Sequence, residues 1–421
     1  MHRARRRLLL YQHRRSSSVT SSTFVIIGAG LAGAKAAEAL RDKGFDGQIT
    51  IVGDEEHLPY ERPPLSKDYL AGNAERDSLT VHDAAWYAGQ RVDLRQGVRA
   101  TGIVRAERRV ELSDGTSLGY DKLLLATGSS PRTLPDAAGV HYLRRVEDSD
   151  RLRQLFTEAK SLAVIGGGWI GLEAAAAARQ AGLTVTVIEA LELPLLPALG
   201  KEVAPVFADL HRANGVDLRL GVQVEHISNG DQGKRIRLSD GSVLEADAVL
   251  AGIGAAPNTE LAEASGLDVD NGVVVDASLR TSDPDIFAAG DIAKAYHPLL
   301  GRHVRVEHWA NALNQPAVAA AGMLGKDETY DELPYFYTDQ FDLGMEYLGT
   351  IEGHDRVVFR GNVPGREFIA FWLKENRVLA GMNVNVWDVT DPIKALIRSG
   401  RPVDPDRLAD PEVPLDELAA G

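Results

Sequence analysis

The chain of 421 residues predicts an α/β fold built on two copies of one strand–turn–helix module, with a smaller α+β unit towards its C-terminal end. Three observations carry this. The stretch IIGAGLAGAKAA at 26–37 returns, little altered, as VIGGGWIGLEAA at 164–175. Each copy is followed by a later apolar run ending in a glycine-bearing loop, YDKLLLATGSSPR at 120–132 and ADAVLAGIGAAPN at 246–258. Further on, YFYTDQFDLGMEYLG alternates apolar and polar residues, the pattern of a strand.

Residues 1–22 differ from the rest. They hold six arginines and no acid, and are expected to form a disordered leader. An arginine- and serine-rich, acid-poor segment also fits a mitochondrial transit peptide, which stands as the lesser alternative to a cytoplasmic protein. The first module then opens with FVII (24–27), a short apolar strand, followed by Gly28-Ala-Gly30-Leu-Ala32-Gly33 and a helical pattern through Leu40. In this context the glycines have separate tasks. Gly28 permits the tight turn, Gly30 lets backbone approach a pyrophosphate, and Gly33 allows close helix–strand packing. The helix N-terminus offers free N–H groups and positive dipole to phosphate. A second strand, QITIVG, ends at Asp54, 21 residues past Gly33, where an acid can accept hydrogen bonds from a ribose.

The second module repeats the plan. SLAVI leads into Gly166-Gly-Gly168-Trp-Ile170-Gly171, then a helix to Gly182, then TVTVIE ending at Glu189. Glu189 is placed to bond the ribose 2′-OH of NAD and to repel a 2′-phosphate, and no arginine follows closely, so NADH is preferred over NADPH. The chain therefore predicts two Rossmann-like dinucleotide domains, one inserted in the other. A further short strand, Ile286 to Ala289, turns out at Gly290-Asp291, where Asp291 can accept from a polyol hydroxyl.

Composition excludes much else. A net charge of −14 argues against a nucleic-acid partner. No run approaches 18 consecutive apolar residues, so no membrane span is expected. With no cysteine in the chain, disulfide exchange, thiolate metal sites and iron–sulfur ligation by this chain are ruled out. The histidines are scattered without metal-ligand spacing, and no metal site is expected.

Together GAGLAG, YERPPLSK, ATGSSPR, GGGWIGLE, IFAAGD and EHWANALNQ resemble the FAD-dependent pyridine-nucleotide oxidoreductases. More narrowly, the pattern is similar to the NADH-dependent ferredoxin reductases of ring-hydroxylating dioxygenase and cytochrome P450 systems, the putidaredoxin reductase type. The resemblance covers about 23–400. It implies an FAD domain at 23–130 and 258–330, an inserted NAD domain at 131–257, and a C-terminal interface domain at 331–421 that covers the flavin and leaves a homodimer open.

The resemblance also implies the chemistry. Hydride passes from NADH to FAD, and single electrons then leave to a [2Fe-2S] ferredoxin. Lys67 and Glu173 are expected to pair beside the flavin, with Glu173 orienting the nicotinamide, while Lys35, at the matching place in the first copy, is expected to be solvated. Arg62 is expected on the pyrophosphate. Ala100, Thr127, Gly128, Arg132, Gly254 and Asp291 complete the cofactor lining, and Trp309 stands at the flavin edge facing the partner. The helix after His308 aims its N-terminus at the flavin, and Pro316 within it predicts a kink or a late start. Arg302, Arg305 and Lys294 are expected to form a basic patch that steers ferredoxin. Two other readings stay open: a redox-sensing scaffold of the apoptosis-inducing factor type, and a monodehydroascorbate reductase-like enzyme.

Overall fold

A computed structural model describes residues 22–135, 139–230 and 233–420. The expected leader lies outside the described residues, save Ser22.

The apolar runs of the first module form a parallel sheet in the order Ile286–Ala288, Lys122–Leu125, Thr23–Ile27, Gln48–Val52, Val92–Arg95. Its central strands are buried on both faces, which is why they read as continuous Val/Ile/Leu rather than as alternation. The edge strand Ile286–Ala288 comes from beyond the second module, so that module is an insertion in the first. The inserted sheet has the parallel order Asp217–Leu220, Thr184–Glu189, Ser161–Ile165, Ala248–Ala251. The chain leaves and re-enters through two short strands lying antiparallel, Ser129–Pro131 and Ala255–Pro257.

In each module the glycine turn after the first strand leads into a helix, α1 (Leu31–Asp42) in the first and α2 (Trp169–Gln180) in the second. The repeated glycines explain how closely these helices approach their sheets. A Cβ on Gly33 would lie 1.9 Å from the Gly28 carbonyl oxygen, and one on Gly171 would lie 2.2 Å from that of Gly166. Gly28 and Gly166 themselves have φ of +120° and +101°, which favours glycine. The two modules thus make the same backbone contact twice.

Helix α3 (Leu196–Ala213) follows in the second module and is broken at Gly200, whose φ is +76°. Helix α4 (Trp309–Met323) returns to the first module and packs along α1. It starts at Trp309, ahead of Pro316, and runs on through it, so the expected late start does not occur. One lost backbone bond is tolerated because Ala319, Ala320 and Ala321 are fully buried. Close approach is needed there too, since a Cβ on Gly322 would lie 2.6 Å from the Phe287 ring.

The C-terminal unit is an antiparallel sheet in the order Tyr335–Gln340, Leu343–Gly349, Arg377–Val384, Glu367–Lys374, Arg356–Asn362, with short helices against it. The alternating segment YFYTDQFDLGMEYLG is a hairpin of two strands rather than one. It turns at Phe341, whose φ is +57°, and at Asp342, and Asn385 holds the turn by bonding the Asp342 carbonyl and the Gly344 N–H.

Gly33→Ala is expected to cost about 1–3 kcal/mol in a urea unfolding curve, the usual penalty for overpacking. Gly30→Ala should leave the same curve nearly unmoved, because nothing lies within 4 Å of where its Cβ would stand, and should instead weaken retention of the dinucleotide.

Candidate functional site

The two modules and the C-terminal sheet enclose a cavity of about 1760 Å³. Three helix N-termini open into it: Gly30 to Ala32 of α1, Gly168 to Ile170 of α2, and His308 to Ala310 of α4. None has a side chain capping it, and none carries an acid in its first turn. Their backbone donors and dipoles therefore remain available to an anion. Around Gly30 the space is open, and Gly168 meets only the Gly252 carbonyl at 3.8 Å. These two cradles, each backed by a positive-φ glycine turn, fit two dinucleotide pyrophosphates.

Between the cradles lies Glu173, on the first turns of α2 and only 5% exposed. Its Oε1 accepts from Lys67 Nζ and from Thr338 Oγ1, and its Oε2 accepts from Ser66 Oγ. Pro63 and Pro64 set the tight turn Pro63–Ser66 that delivers Ser66 and Lys67 together. The expected Lys67–Glu173 pair is present. Lys35, its counterpart in the repeat, instead bonds Glu38 of its own helix at 2.7 Å and is half-buried rather than freely solvated.

The remaining expected residues divide into those that face the cavity and those that support it. Ala32, Asp54, Arg62, Ala100, Thr127, Gly128, Gly254, Asp291 and Trp309 line it, as do Gly28, Gly30, Gly168 and the exposed Ile170. Gly33, Gly166 and Gly171 stand behind the lining and act through packing. Glu189 also stands back. Its two oxygens accept from Gly167 N at 2.6 Å and Leu191 N at 2.8 Å, so it holds the second glycine turn in shape. Arg132 departs from expectation. It is exposed and outside the lining, since its backbone N–H is drawn to the Gly254 carbonyl, 2.9 Å away, where the two connecting strands pair.

Arg62 faces the cavity with its guanidinium already committed to Glu55 (2.6 Å), Tyr60 (3.0 Å) and the Arg144 carbonyl (2.7 Å). The sequence reading missed Arg144, which lines the cavity and bonds Asp291 at 2.9 Å, beside Ser129 at 2.8 Å. It also missed Arg99 and Arg145, which both hold Asp54. Burial alone would raise the Asp54 carboxyl, but hydrogen bonds and charge from Arg145 and Arg99 hold it below its ordinary value.

One wall is aromatic. His308 stacks on Phe336 at 4.6 Å, and Trp169 and Tyr347 pack against the same ring. Trp309 meets Tyr337 edge-on at 6.1 Å, and its Nε1 donates to Glu61 at 3.1 Å. The expected basic patch is not a set of free cations. Arg302 pairs with Glu352 at 2.6 Å, Arg305 with Glu307, and Lys294 with Asp270. Each positive charge is drawn to an acid of this acidic chain. The Arg302–Glu352 pair also joins the hairpin at 293–304 to the loop after the strand Leu343–Gly349 at the cavity rim.

Two family models match the chain. The pyridine nucleotide-disulphide oxidoreductase model covers residues 22–316, and the reductase C-terminal model covers 335–419. The chain belongs to the pyridine nucleotide-disulphide oxidoreductase family. Among this family's curated members, the ferredoxin–NAD(+) reductase component of the anthranilate 1,2-dioxygenase system of Burkholderia cepacia is 45% identical, covering 94% of this chain and 99% of that protein. Putidaredoxin reductase of Pseudomonas putida is 42% identical, covering 94% and 96%. The crystal structure of the covalent putidaredoxin reductase–putidaredoxin complex matches with a TM-score of 0.91 at 41% identity, covering 95% of this chain and 98% of that one. Despite the family's name, this member has no cysteine at all.

Burial lowers the His308 imidazole to about 4, against the opposing pull of Asp291. A base whose folded value lies below its unfolded value takes up protons preferentially when unfolded. Its destabilising effect is therefore absent above about pH 6.5 and grows as pH falls towards 4. Urea midpoints at pH 7 and pH 5 should differ less for His308→Gln than for the parent chain, by an amount equivalent to about 1–2 kcal/mol.

Proposed function

We infer that this protein transfers hydride from NADH to FAD and then passes electrons one at a time to a ferredoxin. The enzyme is an oxidoreductase of the ferredoxin–NAD(+) reductase kind, and FAD and NADH are its cofactors. The observation that carries the reading is the pair of cradles with a buried Lys67–Glu173 pair between them, in a chain without a thiol. Bound FAD supplies the chemistry that links a two-electron donor to a one-electron acceptor. The chain supplies positions and charge.

The cradle of α1, with Asp54 near its mouth, fits FAD, and the cradle of α2, with Glu189 beneath it, fits NADH. Arg144 and Asp291 stand where the first cradle meets the N-terminus of α4, whose dipole favours negative charge on the bound flavin. A carboxylate has about four acceptor sites. Lys67, Thr338 and Ser66 occupy three on Glu173, which leaves one for the amide of the nicotinamide. Lys67 compensates a carboxylate charge that would otherwise lie unpaired at this depth. A buried ion pair is a poor stabiliser compared with apolar packing, which favours a chemical reason for keeping it. The aromatic wall of His308, Phe336 and Trp169 limits water. Trp309, at the cavity edge, is the exit side in this reading, and the partner is a [2Fe-2S] ferredoxin.

The expected pairing of Arg302, Arg305 and Lys294 with a partner's acids requires those residues to exchange their present acidic partners, so they are weak candidates for steering.

Anaerobic mixing of the purified yellow protein with NADH should bleach it within one turnover, and a 2Fe-2S ferredoxin should restore the colour over many cycles. A protein that bleaches once and then cannot pass electrons to any ferredoxin would be a sensor instead. Glu173→Gln should slow bleaching by about a hundredfold while the protein keeps its flavin. NADPH should be at least about tenfold poorer than NADH in kcat/KM, from like-charge repulsion at Glu189, and Glu189→Ala should narrow the gap.

A further inference from the structure

Glu173 has a second set of partners beyond Lys67. Thr338 Oγ1, fully buried, donates to its Oε1. Gln340 Nε2 donates to Thr338 Oγ1 at 3.2 Å, and Gln340 Oε1 faces His211 Nε2 at 2.9 Å. Thr338 and Gln340 share one face of the strand Tyr335–Gln340, and His211 comes from α3 of the inserted module. All three are at most 1% exposed, so no bulk water competes for these bonds.

The direction of the chain follows from chemistry. A carboxylate only accepts, so the single Thr338 hydroxyl proton must point at Glu173. Thr338 then accepts from the Gln340 amide N–H, which turns the Gln340 carbonyl oxygen towards His211. That oxygen also only accepts, so His211 must carry its proton on Nε2. Its Nδ1 is left bare and has no partner. Every donor points towards Glu173, and bonds aligned in this way strengthen one another.

We propose that Thr338, Gln340 and His211 are positioning residues, a one-way hydrogen-bond relay from α3 through the C-terminal sheet that fixes the Glu173 carboxylate for hydride transfer. The proposal rests on the reading of Glu173 given above. None of the three lines the cavity itself, and the chain reaches it through Glu173. The relay also explains why Thr338 and Gln340 are polar although they are buried.

The test is anaerobic stopped-flow reduction of the flavin-loaded protein by NADH, read as a limiting rate and a half-saturating concentration. Thr338→Val removes the donor at nearly constant volume. It should lower the limiting rate by about tenfold with half-saturation little changed, the scale of one hydrogen bond to a charged group. Thr338→Ser should restore the rate, because the hydroxyl returns. Gln340→Leu should slow the reaction less, and Thr338→Val combined with Gln340→Leu should be no slower than Thr338→Val alone.

A wild-type rate in Thr338→Val would overturn the relay, as would a Thr338→Ser protein equally slow, which would mean that packing matters and the hydroxyl does not. If Thr338→Val fails to fold or to keep flavin, Gln340→Leu decides alone, and a wild-type rate there sinks the proposal. Glu173→Gln separates the two levels. Slow Glu173→Gln with fast Thr338→Val removes the relay and leaves the function standing, whereas fast Glu173→Gln removes the role of Glu173 and the relay with it.

Discussion

The buried carboxylate of Glu173 is the constraint around which the rest is arranged. An isolated charge at that depth would be strongly unfavourable, so the chain must bring compensating groups to it from wherever they are encoded. Lys67 and Ser66 arrive on a proline-set turn from the first module, and Thr338 arrives from the C-terminal sheet. Glu173 itself rides on the first turns of α2, in the inserted module. Three parts of the chain therefore meet at one side chain, within an apolar core that the inserted module and the C-terminal sheet share.

The duplicated glycine turn accounts for the other half of the design. One packing solution, a third glycine pressed on the carbonyl of the first, is used twice to aim a helix N-terminus into the cavity. What differs between the copies is the face each helix presents beside the shared space. Lysine at 35 is tied within its own helix, whereas glutamate at 173 turns inward to the junction. The sequence difference between two near-identical lines thus marks which helix faces the junction of the three parts.

Much of this was legible in the sequence, for identifiable reasons. Glycine spacing, trailing acids and buried strands are local signals, and they placed both modules, whereas the Lys67–Glu173 pair followed from the resemblance carried by YERPPLSK and GGGWIGLE. The relay was harder to see, because Thr338, Gln340 and His211 are joined only by tertiary packing. The one available clue was polar residues at alternate positions inside YFYTDQ. Arg144 and Arg145 carried no motif, and only the folded cavity brings them to Asp291 and Asp54. The hairpin turn at Phe341 was hidden because an apolar residue occupies a left-handed position usually given to glycine or asparagine. The charge patch was legible in part: Lys294, Arg302 and Arg305 do line the cavity, but the acids that pair with Lys294 and Arg302 are distant in sequence and carry no local signal. Pro316 was read by its local cost, which the buried alanines of α4 outweigh.

The dependence of Glu173 on Thr338 has a consequence for how the protein comes into being. A ribosome finishes both nucleotide cradles well before it reaches the strand that completes their junction. Until that strand emerges and docks, a nascent or prematurely terminated chain would hold its carboxylate one donor short and its aromatic wall unbuilt. The last part of the junction to be made is therefore the strand that carries both the donor to Glu173 and the Phe336 ring of the aromatic wall.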